Sequence, residues 1–286
     1  MWNRLPLVLR ALLVAIAVSG AANLVWGVLI QTNLVFFPRW PWAAAIMTGF
    51  LVFYWRFLKG WGWPQSTATA RRAHLRAEPI ASPVWRWSLM AGALGLAASI
   101  ALFILSHRLI RWPQPIRPDL SHIPGVTLFI TLLMSAMVAG IGEEAGFRGY
   151  MQAPLERRYG PTLAIVFTSI VFGLAHLSHG FFFPALLFDI AWGALYGFLA
   201  YQSGSIVPGI ILHSSADALE FIAAWKFPRI PAPLIWGSGP DRMFWFYCTM
   251  AVVLGIAALG AFRRLARTRA ATNSSIALSE ISTSRQ

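Results

Sequence analysis

Two adjacent glutamates and an arginine stand directly after a long apolar run. Glu143, Glu144 and Arg148 lie in "GEEAGFRGYM", residues 142–151, behind "GVTLFITLLMSAMVAGI", which carries no charge. Glu144 and Arg148 have the i, i+4 spacing at which a helix brings an acid and a base together. Glu143 is left with no local partner, and such a carboxylate can act as a general base. In a simpler interpretation, the three charges only mark the end of a membrane helix.

Two histidine motifs follow. His176 lies in "VFGLAHLSHG", four residues after Phe172 and three before His179, and His213 with Asp217 lies in "HSSAD". Histidine can move protons or bind a metal, and the i, i+4 spacing puts His213 and Asp217 on one helical face. The alternatives are a hydrogen-bonded core histidine in the first motif and a His–Asp pair that serves packing in the second.

The turn signal "RRYGP", residues 157–161, relates the first two motifs in depth. Glu144 lies 15 residues before Tyr159, and His176 lies 15 residues after Pro161. At the rise of an α-helix, both side chains lie about 22 Å from the turn on neighbouring antiparallel helices. This requires the glutamate-bearing helix to continue unbroken through the motif, with its acids inside the bilayer. By the same count, the depth of the third motif agrees only to about 10 Å.

The elements that must position these residues are apolar. The chain is 57% hydrophobic and 12% charged, with mean hydropathy +0.62, whereas a soluble domain carries about 25% charged residues. Apolar runs close to bilayer-spanning length recur along it. We therefore predict an all-α, polytopic membrane helical bundle of about eight transmembrane helices, near residues 11–30, 42–57, 87–105, 124–142, 161–178, 183–201, 207–224 and 243–262.

The ends of the chain need separate interpretation. The first residues, "MWNRLPLVLRALLVAIAVSGAA", resemble a cleavable signal peptide. The apolar run continues through "NLVWGVLI", which favours a retained helix. The stretch "PQSTATARRAHLRAEP" indicates an extramembrane loop that holds a short helix. Residues 269–286 are polar and rich in Ser and Thr, so we expect a disordered tail.

The net charge of +13 does not indicate nucleic-acid binding. The basic residues lie between apolar runs rather than with aromatics on a polar face, so they fit loops that face anionic lipid. More of them fall on the side of the two termini. We expect an integral, multi-pass protein of the plasma (inner) membrane with both termini cytoplasmic. The single cysteine, Cys248, excludes a disulfide framework and a cysteine-based metal site.

The three motifs together resemble a known family. "EEAGFR" fits Glu-Glu-x-x-x-Arg, "FGLAH" fits Phe-x-x-x-His, and "HSSAD" fits His-x-x-x-Asn/Asp. In this order, on apolar helices, they are similar to the intramembrane proteases related to the type II CAAX prenyl endopeptidase, the CPBP or Abi family. The resemblance covers residues 120–225. It implies a catalytic core there, after N-terminal helices and a basic cytoplasmic loop in 1–119 and before a last helix in 226–268.

The resemblance also implies roles for individual residues. Glu143 would be the general base that activates a water, and His176 would share that water or its proton. His213 with Asp217 would stabilise the oxyanion of the tetrahedral intermediate. Many family members have Asn at the last position, and an ionised Asp only accepts hydrogen bonds, so Asp217 would orient His213 or be held protonated. The structural pair would be Glu144 and Arg148.

The implied function is an intramembrane endopeptidase that cuts a peptide or protein substrate near its membrane anchor. No cofactor is required by the motifs; a divalent metal such as zinc, if one takes part, would bind Glu143, His176 and His213. The lipid bilayer is the other expected partner. Two alternatives stay open: a catalytically silent partner-binding or immunity-type protein, and a proton-coupled transporter whose buried charges line a path. The motifs of rhomboid-type and aspartyl intramembrane proteases are missing from the sequence.

Overall fold

A computed structural model describes residues 4–113, 119–227 and 233–283. Within these ranges the chain forms helices and connecting turns and no β-strand, which confirms the predicted all-α bundle. Every predicted apolar run coincides with a helix. The helices are α1 Leu7–Phe36, α2 Trp42–Leu58, α3 Ala68–Leu75, α4 Ser82–Leu109, α5 Gly125–Glu143, a π-helix Glu144–Gln152, α6 Ala153–Tyr159, α7 Pro161–Ala175, α8 Phe183–Ser203, α9 Val207–Lys226, α10 Ile235–Ser238 and α11 Arg242–Thr283, with 3₁₀ turns at Gln65–Thr67 and His176–His179.

Five helical segments of the described chain are long and apolar enough to cross a membrane, judged by length and composition. The shorter helices α2 and α7 are also apolar. The seventh predicted span, α9, is not among the five, and it carries both His213 and Asp217. The five segments are Leu7–Phe36, Ser82–Leu109, Gly125–Tyr159, Phe183–Ser203 and Arg242–Ser275.

Large apolar side chains of the long helices point outward, whereas the charged pair of the glutamate motif points inward. Leu24, Val126 and Leu163 are 65–71% exposed, whereas Glu144 and Arg148 are at most 1% exposed. Exposed apolar side chains are unfavourable in water, and charged side chains that faced outward would be unfavourable in lipid. This inside-out distribution fits a bundle whose solvent is hydrocarbon.

The helix that carries the glutamates lies at the centre of the bundle. α5 packs against α1, α2 and α9, the π-helix packs against α1 and α8, and α7 packs along α8. Small residues permit this closeness: a Cβ added at Gly146 would lie 2.9 Å from the backbone oxygen of Ala15. α1 and the π-helix are therefore in direct backbone contact.

The prediction of a disordered tail is wrong for residues 269–283, because α11 continues to Thr283. Extending an existing helix avoids the cost of nucleation, and Arg269 and the alanines of this segment favour helix. Arg269 also holds the helix against the bundle by donating to the backbone oxygens of Tyr201 and Gln202. Residues 284–286 lie outside the described part of the chain.

Candidate active site

The glutamate motif lies at a change of helix type. Glu143 is the last residue of α5, and Glu144 begins a π-helix that runs to Gln152. The chain then continues as α6 to Tyr159, so the helix passes through the motif as the depth count required. All nine residues of the π-helix are buried. π-Helical segments are rare and occur frequently at functional sites.

The structural pair predicted from the i, i+4 spacing is present. Nη1 of Arg148 lies 3.1 Å from Oε1 of Glu144 as an ion pair without hydrogen-bond alignment. Nη2 of Arg148 donates to the backbone oxygen of Gly193 at 3.1 Å. The guanidinium carbon lies 4.3 Å from the ring centroid of Phe172 and 5.4 Å from that of Tyr196. A buried cation is costly, and these contacts share its stabilisation among three helices.

His213 is the centre of the polar cluster. Its Nδ1 lies 3.0 Å from Oε1 of Glu144, and since a carboxylate only accepts, Nδ1 carries the hydrogen. Its Nε2 lies 3.6 Å from Oδ2 of Asp217 and 3.8 Å from Oε2 of Glu143. A proton on Nε2 would therefore point towards two carboxylates. The structure brings four of the predicted site residues from α5, the π-helix and α9 into one contact group.

Glu144 does more than the sequence pattern indicated. It forms an ion pair with Arg148 and also accepts a hydrogen bond from Nδ1 of His213, so it is the acceptor that orients the imidazole. From the sequence, Asp217 is expected to orient His213, but Asp217 faces the other ring nitrogen. A Cβ added at Gly209 would lie 2.9 Å from Oε2 of Glu144, so glycine at this position lets α9 approach the carboxylate.

The depth mismatch expected for His213 is removed by the position of the preceding turn. Ser205 and Ile206, just before α9, are completely buried. The backbone N–H of Ile206 donates to the backbone oxygen of Arg76 at 2.9 Å. α9 therefore begins inside the bundle rather than at its surface, and His213 reaches the level of Glu144.

His176 begins the 3₁₀ turn at the end of α7. Its Nδ1 lies 2.8 Å from the backbone oxygen of Phe172 and must donate to it, which leaves Nε2 for other partners. Its ring centroid lies 4.5 Å from that of Phe172. His176 and Asp217 are close enough to interact electrostatically, so this histidine borders the same cluster. The side chain of His179 lies outside the described residues.

Glu143 and Glu144 differ in access. The Glu143 side chain is 15% exposed and that of Glu144 is fully buried. Oε2 of Glu143 has no hydrogen-bond partner among the described residues. Oε2 of Glu144 also has no such partner, and both of these oxygens are buried, so the two acids differ in the exposure of the side chain, which only Glu143 has.

Tyr196 is a site residue that the sequence analysis missed. Its ring stacks on His213, with the centroids 4.8 Å apart and the planes 10° from parallel. It is 3% exposed and also lies beside Arg148. Only its place on an apolar helix was visible in the sequence, and that is typical of any core aromatic.

Gln152 and Glu156 were missed too, although a signal was present. Polar residues recur at 144, 148, 152 and 156, one every four positions. Gln152, which is completely buried, donates to the backbone oxygen of Gly197 at 2.8 Å and to Oε1 of Glu156 at 2.6 Å. Glu156 in turn pairs with Arg76. The hydrogen bonds of Gln152 therefore hold the end of the π-helix against α8.

The residues present do not form a ready metal site. Nδ1 of His213 contacts Glu144 and Nδ1 of His176 contacts a backbone carbonyl, an arrangement that is also usual in histidines that bind a metal through Nε2, so these contacts alone exclude nothing. In the described part of the chain, no group of three or more His, Cys, Asp or Glu side chains has an arrangement that could hold an ion. The proposed ligand set of Glu143, His176 and His213 therefore gains no support from the geometry, and we derive no step through a metal.

Comparison with known proteins adds one match. Residues 125–219 match the family model described as type II CAAX prenyl endopeptidase Rce1-like. The matched region, about a third of the chain, begins at the start of α5 and ends within α9, so it contains all six predicted site residues. No curated protein and no solved structure matches the chain.

Proposed function

We propose that this chain is an intramembrane endopeptidase, since residues 125–219 match the Rce1-like model and so support membership of the CAAX protease family. The single observation that carries the proposal is the position of Glu143. Its carboxylate has a free oxygen and faces Nε2 of His213 at 3.8 Å, inside a bundle with an apolar exterior. The reaction is hydrolysis of a peptide bond near a membrane anchor by a water that Glu143 activates.

The separation between Glu143 and His213 suits a shared water. A gap of 3.8 Å is too long for a direct hydrogen bond, and a water that lies beside the pair can contact both groups. In the first step, Glu143 takes a proton from this water as its oxygen attacks the substrate carbonyl carbon. The carbonyl oxygen becomes negatively charged, and Nε2–H of His213 is the donor positioned to stabilise it.

Glu144 keeps His213 ready for that role. Because Nδ1–H is held by the Glu144 carboxylate, the ring cannot rotate freely, and a proton on Nε2 stays directed at the reacting groups. Arg148 compensates the buried charge of Glu144. Asp217, whose Oδ2 lies 3.6 Å from Nε2, attracts a proton on that nitrogen when no oxyanion is present, and this electrostatic role fits an ionised carboxylate.

We assign to His176 the protonation of the leaving amine. Its Nδ1–H is fixed on the Phe172 carbonyl, so its Nε2 can exchange a proton. The amine needs a proton as the carbon–nitrogen bond breaks, and the one that Glu143 removed from water must be returned for the next cycle. As the oxyanion re-forms the carbonyl and the carbon–nitrogen bond breaks, protonated Nε2 of His176 gives its proton to the amine. The proton that Glu143 took from the water then passes to His176, which restores both groups for the next cycle. No step of this mechanism requires a metal.

The substrate we propose is a peptide or protein with a hydrophobic anchor, cut next to the anchor. The polar cluster is enclosed by helices that expose apolar side chains, so such a substrate can approach from the bilayer with little desolvation cost. We also propose the plasma membrane as the location and cytoplasmic termini, from the distribution of basic residues.

Membrane-proteome comparison tests the proposal even where the substrate has not been identified. Cells with the wild-type chain, with the Glu143→Gln variant and without the gene are compared for new protein termini. We expect new termini beside membrane anchors in the wild-type cells alone. If no terminus depends on the chain, or if Glu143→Gln produces the same set, the assignment fails and a partner-binding or transport role gains support.

A further inference from the structure

The segment from the last turn of α2 into α3 concentrates positive charge and contains no acid. No Asp or Glu occurs in the chain before Glu78. We call residues 56–72 the basic segment; its cations are Arg56, Lys59, Arg71 and Arg72. Among the described residues, none of these four forms an ion pair with an acidic side chain. The basic segment therefore carries uncompensated charge.

Arg71 shows the imbalance most clearly. It is 6% exposed, and its Nη2 donates to the backbone oxygens of Trp61 at 3.3 Å and Gly62 at 3.2 Å. The guanidinium carbon lies 4.1 Å from the ring centroid of Phe57. Its Nε and Nη1 are buried and have no partner in the described part of the chain. A buried cation without a counter-ion is costly, and a cation–π contact offsets only part of that cost.

Exposed aromatic side chains surround these charges. Trp61 is 52% exposed and Trp63 is 86% exposed. The guanidinium carbon of Arg56 lies 5.1 Å from the ring centroid of Trp61. Tryptophan at such positions is typical of the headgroup level of a bilayer. The basic segment begins in the last turn of the apolar helix α2, where headgroups are expected.

An apolar track leads from the basic segment along α2. Phe53 is 55% exposed, and its ring meets that of Trp61 edge-on, with the centroids 5.8 Å apart. Val52 and Ile46 are 55% and 53% exposed on the same helix. The positive charge of the basic segment suits an anionic headgroup, and the apolar surface of α2 next to it suits an acyl chain of the same phospholipid.

We propose that the basic segment binds the headgroup of an anionic phospholipid. The phosphate is held by Arg71 together with the exposed Arg56, Lys59 and Arg72, and an acyl chain lies along Phe53. Basic residues near a membrane surface attract anionic lipid individually. The buried unpaired guanidinium and the adjoining apolar track favour one bound lipid over diffuse attraction. This site is independent of the proposed protease function.

Thermal unfolding of the full chain in a neutral detergent tests the ligand. The probes are phosphatidylglycerol, phosphatidylcholine with the same acyl chains, and inorganic phosphate. A ligand that binds only the folded state raises the unfolding temperature with its concentration. We expect a saturable rise with phosphatidylglycerol, none with phosphatidylcholine, and a much smaller one with phosphate. If phosphatidylcholine raised the unfolding temperature as much as phosphatidylglycerol does, the site would not select anions. If inorganic phosphate did so, the ligand would not need to be a lipid. Either result would overturn the proposal.

Matched variants test the location. Replacing the three exposed cations of the basic segment with Gln should weaken phosphatidylglycerol binding at least about tenfold, since each cation near the headgroup attracts the anionic lipid. Arg71→Met should abolish the preference for phosphatidylglycerol; if it does not fold, the triple variant still decides. The control replaces three arginines of α11 and should leave binding unchanged. Equal losses in both triple variants would overturn the proposal. The test variant is Arg56→Gln, Lys59→Gln, Arg72→Gln, and the control is Arg263→Gln, Arg264→Gln, Arg267→Gln.

Discussion

Arg148 is a cation that the bundle encloses almost completely. Its 1% exposure leaves the Glu144 carboxylate, a backbone oxygen and aromatic faces to replace water. Buried ion pairs add little net stability, but removing one partner leaves an uncompensated charge. The pair therefore matters for geometry rather than for net stability. Arg148 holds the Glu144 carboxylate in the place where it contacts His213.

The first prediction follows from that asymmetry. Arg148→Ala should lower the free energy of unfolding by about 3–5 kcal/mol, because Glu144 remains buried without its counter-ion. The double variant Glu144→Gln with Arg148→Met should cost much less. Thermal unfolding in detergent measures both. Equal losses in the single and double variants would show that the two side chains are not energetically paired.

A second prediction concerns Tyr196. Its ring lies flat on His213, so it limits how the imidazole can tilt. Tyr196→Phe keeps the ring and should retain activity. Tyr196→Leu should lower kcat by at least about tenfold with KM nearly unchanged, since small losses of orientation cost rate. Kinetics on one anchored peptide separate the two constants, and equal rates for the Phe and Leu variants would exclude the stacking role.

At the scale of elements, the π-helix is held by backbone contact with α1. A Cβ at Gly146 would lie 2.9 Å from the backbone oxygen of Ala15 and 3.2 Å from the backbone nitrogen of Ser19. Backbone atoms within a helix cannot shift individually, so any side chain here moves the whole helix. The glycine thus sets the separation between α1 and the helix that carries Glu144 and Arg148.

The third prediction uses this contact. Gly146→Ala should lower the free energy of unfolding by about 1–3 kcal/mol, the usual cost of overpacking. Gly20→Ala on α1 is the matched control, because nothing lies within 4 Å of its added Cβ. The control should be neutral or stabilising by up to about 1 kcal/mol, the difference in helix propensity. Similar losses in both variants would mean that helix contact is not the cause.

The sequence predicts the elements better than their junctions. Apolar runs located all five candidate membrane spans of the described residues, and the i, i+4 rule found the pairs Glu144–Arg148 and His213–Asp217, because both signals are local. The hydrogen bond between His213 and Glu144 depends on how deeply α9 begins. That depth is set by the buried turn at Ile206 and its bond to Arg76, which are far apart in sequence. The sequence of residues 144–152 has no feature that distinguishes a π-helix from an α-helix, so the change of helix type was not predictable.

For the whole molecule, the side from which a substrate arrives follows from the surface. The exterior of the bundle is apolar, and the polar cluster is reached mainly through the partly exposed side chains of Glu143 and Asp217. A soluble peptide must lose its water to reach them. An anchored peptide is already concentrated in the bilayer beside the site.

The fourth prediction is a preference for anchored substrates. Removing the hydrophobic anchor from a peptide of fixed local sequence should reduce cleavage at least tenfold, about 1.4 kcal/mol of transition-state binding. Both versions are assayed in the same liposomes that hold the protein. Equal cleavage of the two would show that the site opens broadly to water and that approach from the bilayer is not required.

The role of Glu143 as the base is the central claim, and one comparison tests it most directly. Wild-type protein, Glu143→Gln and the control Glu78→Gln are purified, reconstituted in liposomes and given the same anchored peptide. Gln keeps the size of the side chain but cannot take a proton, so turnover should fall by about 10²–10⁴-fold in Glu143→Gln alone. Matching unfolding temperatures would show that folding is intact. Turnover by Glu143→Gln at the rate of the wild type and the Glu78→Gln control would contradict the account.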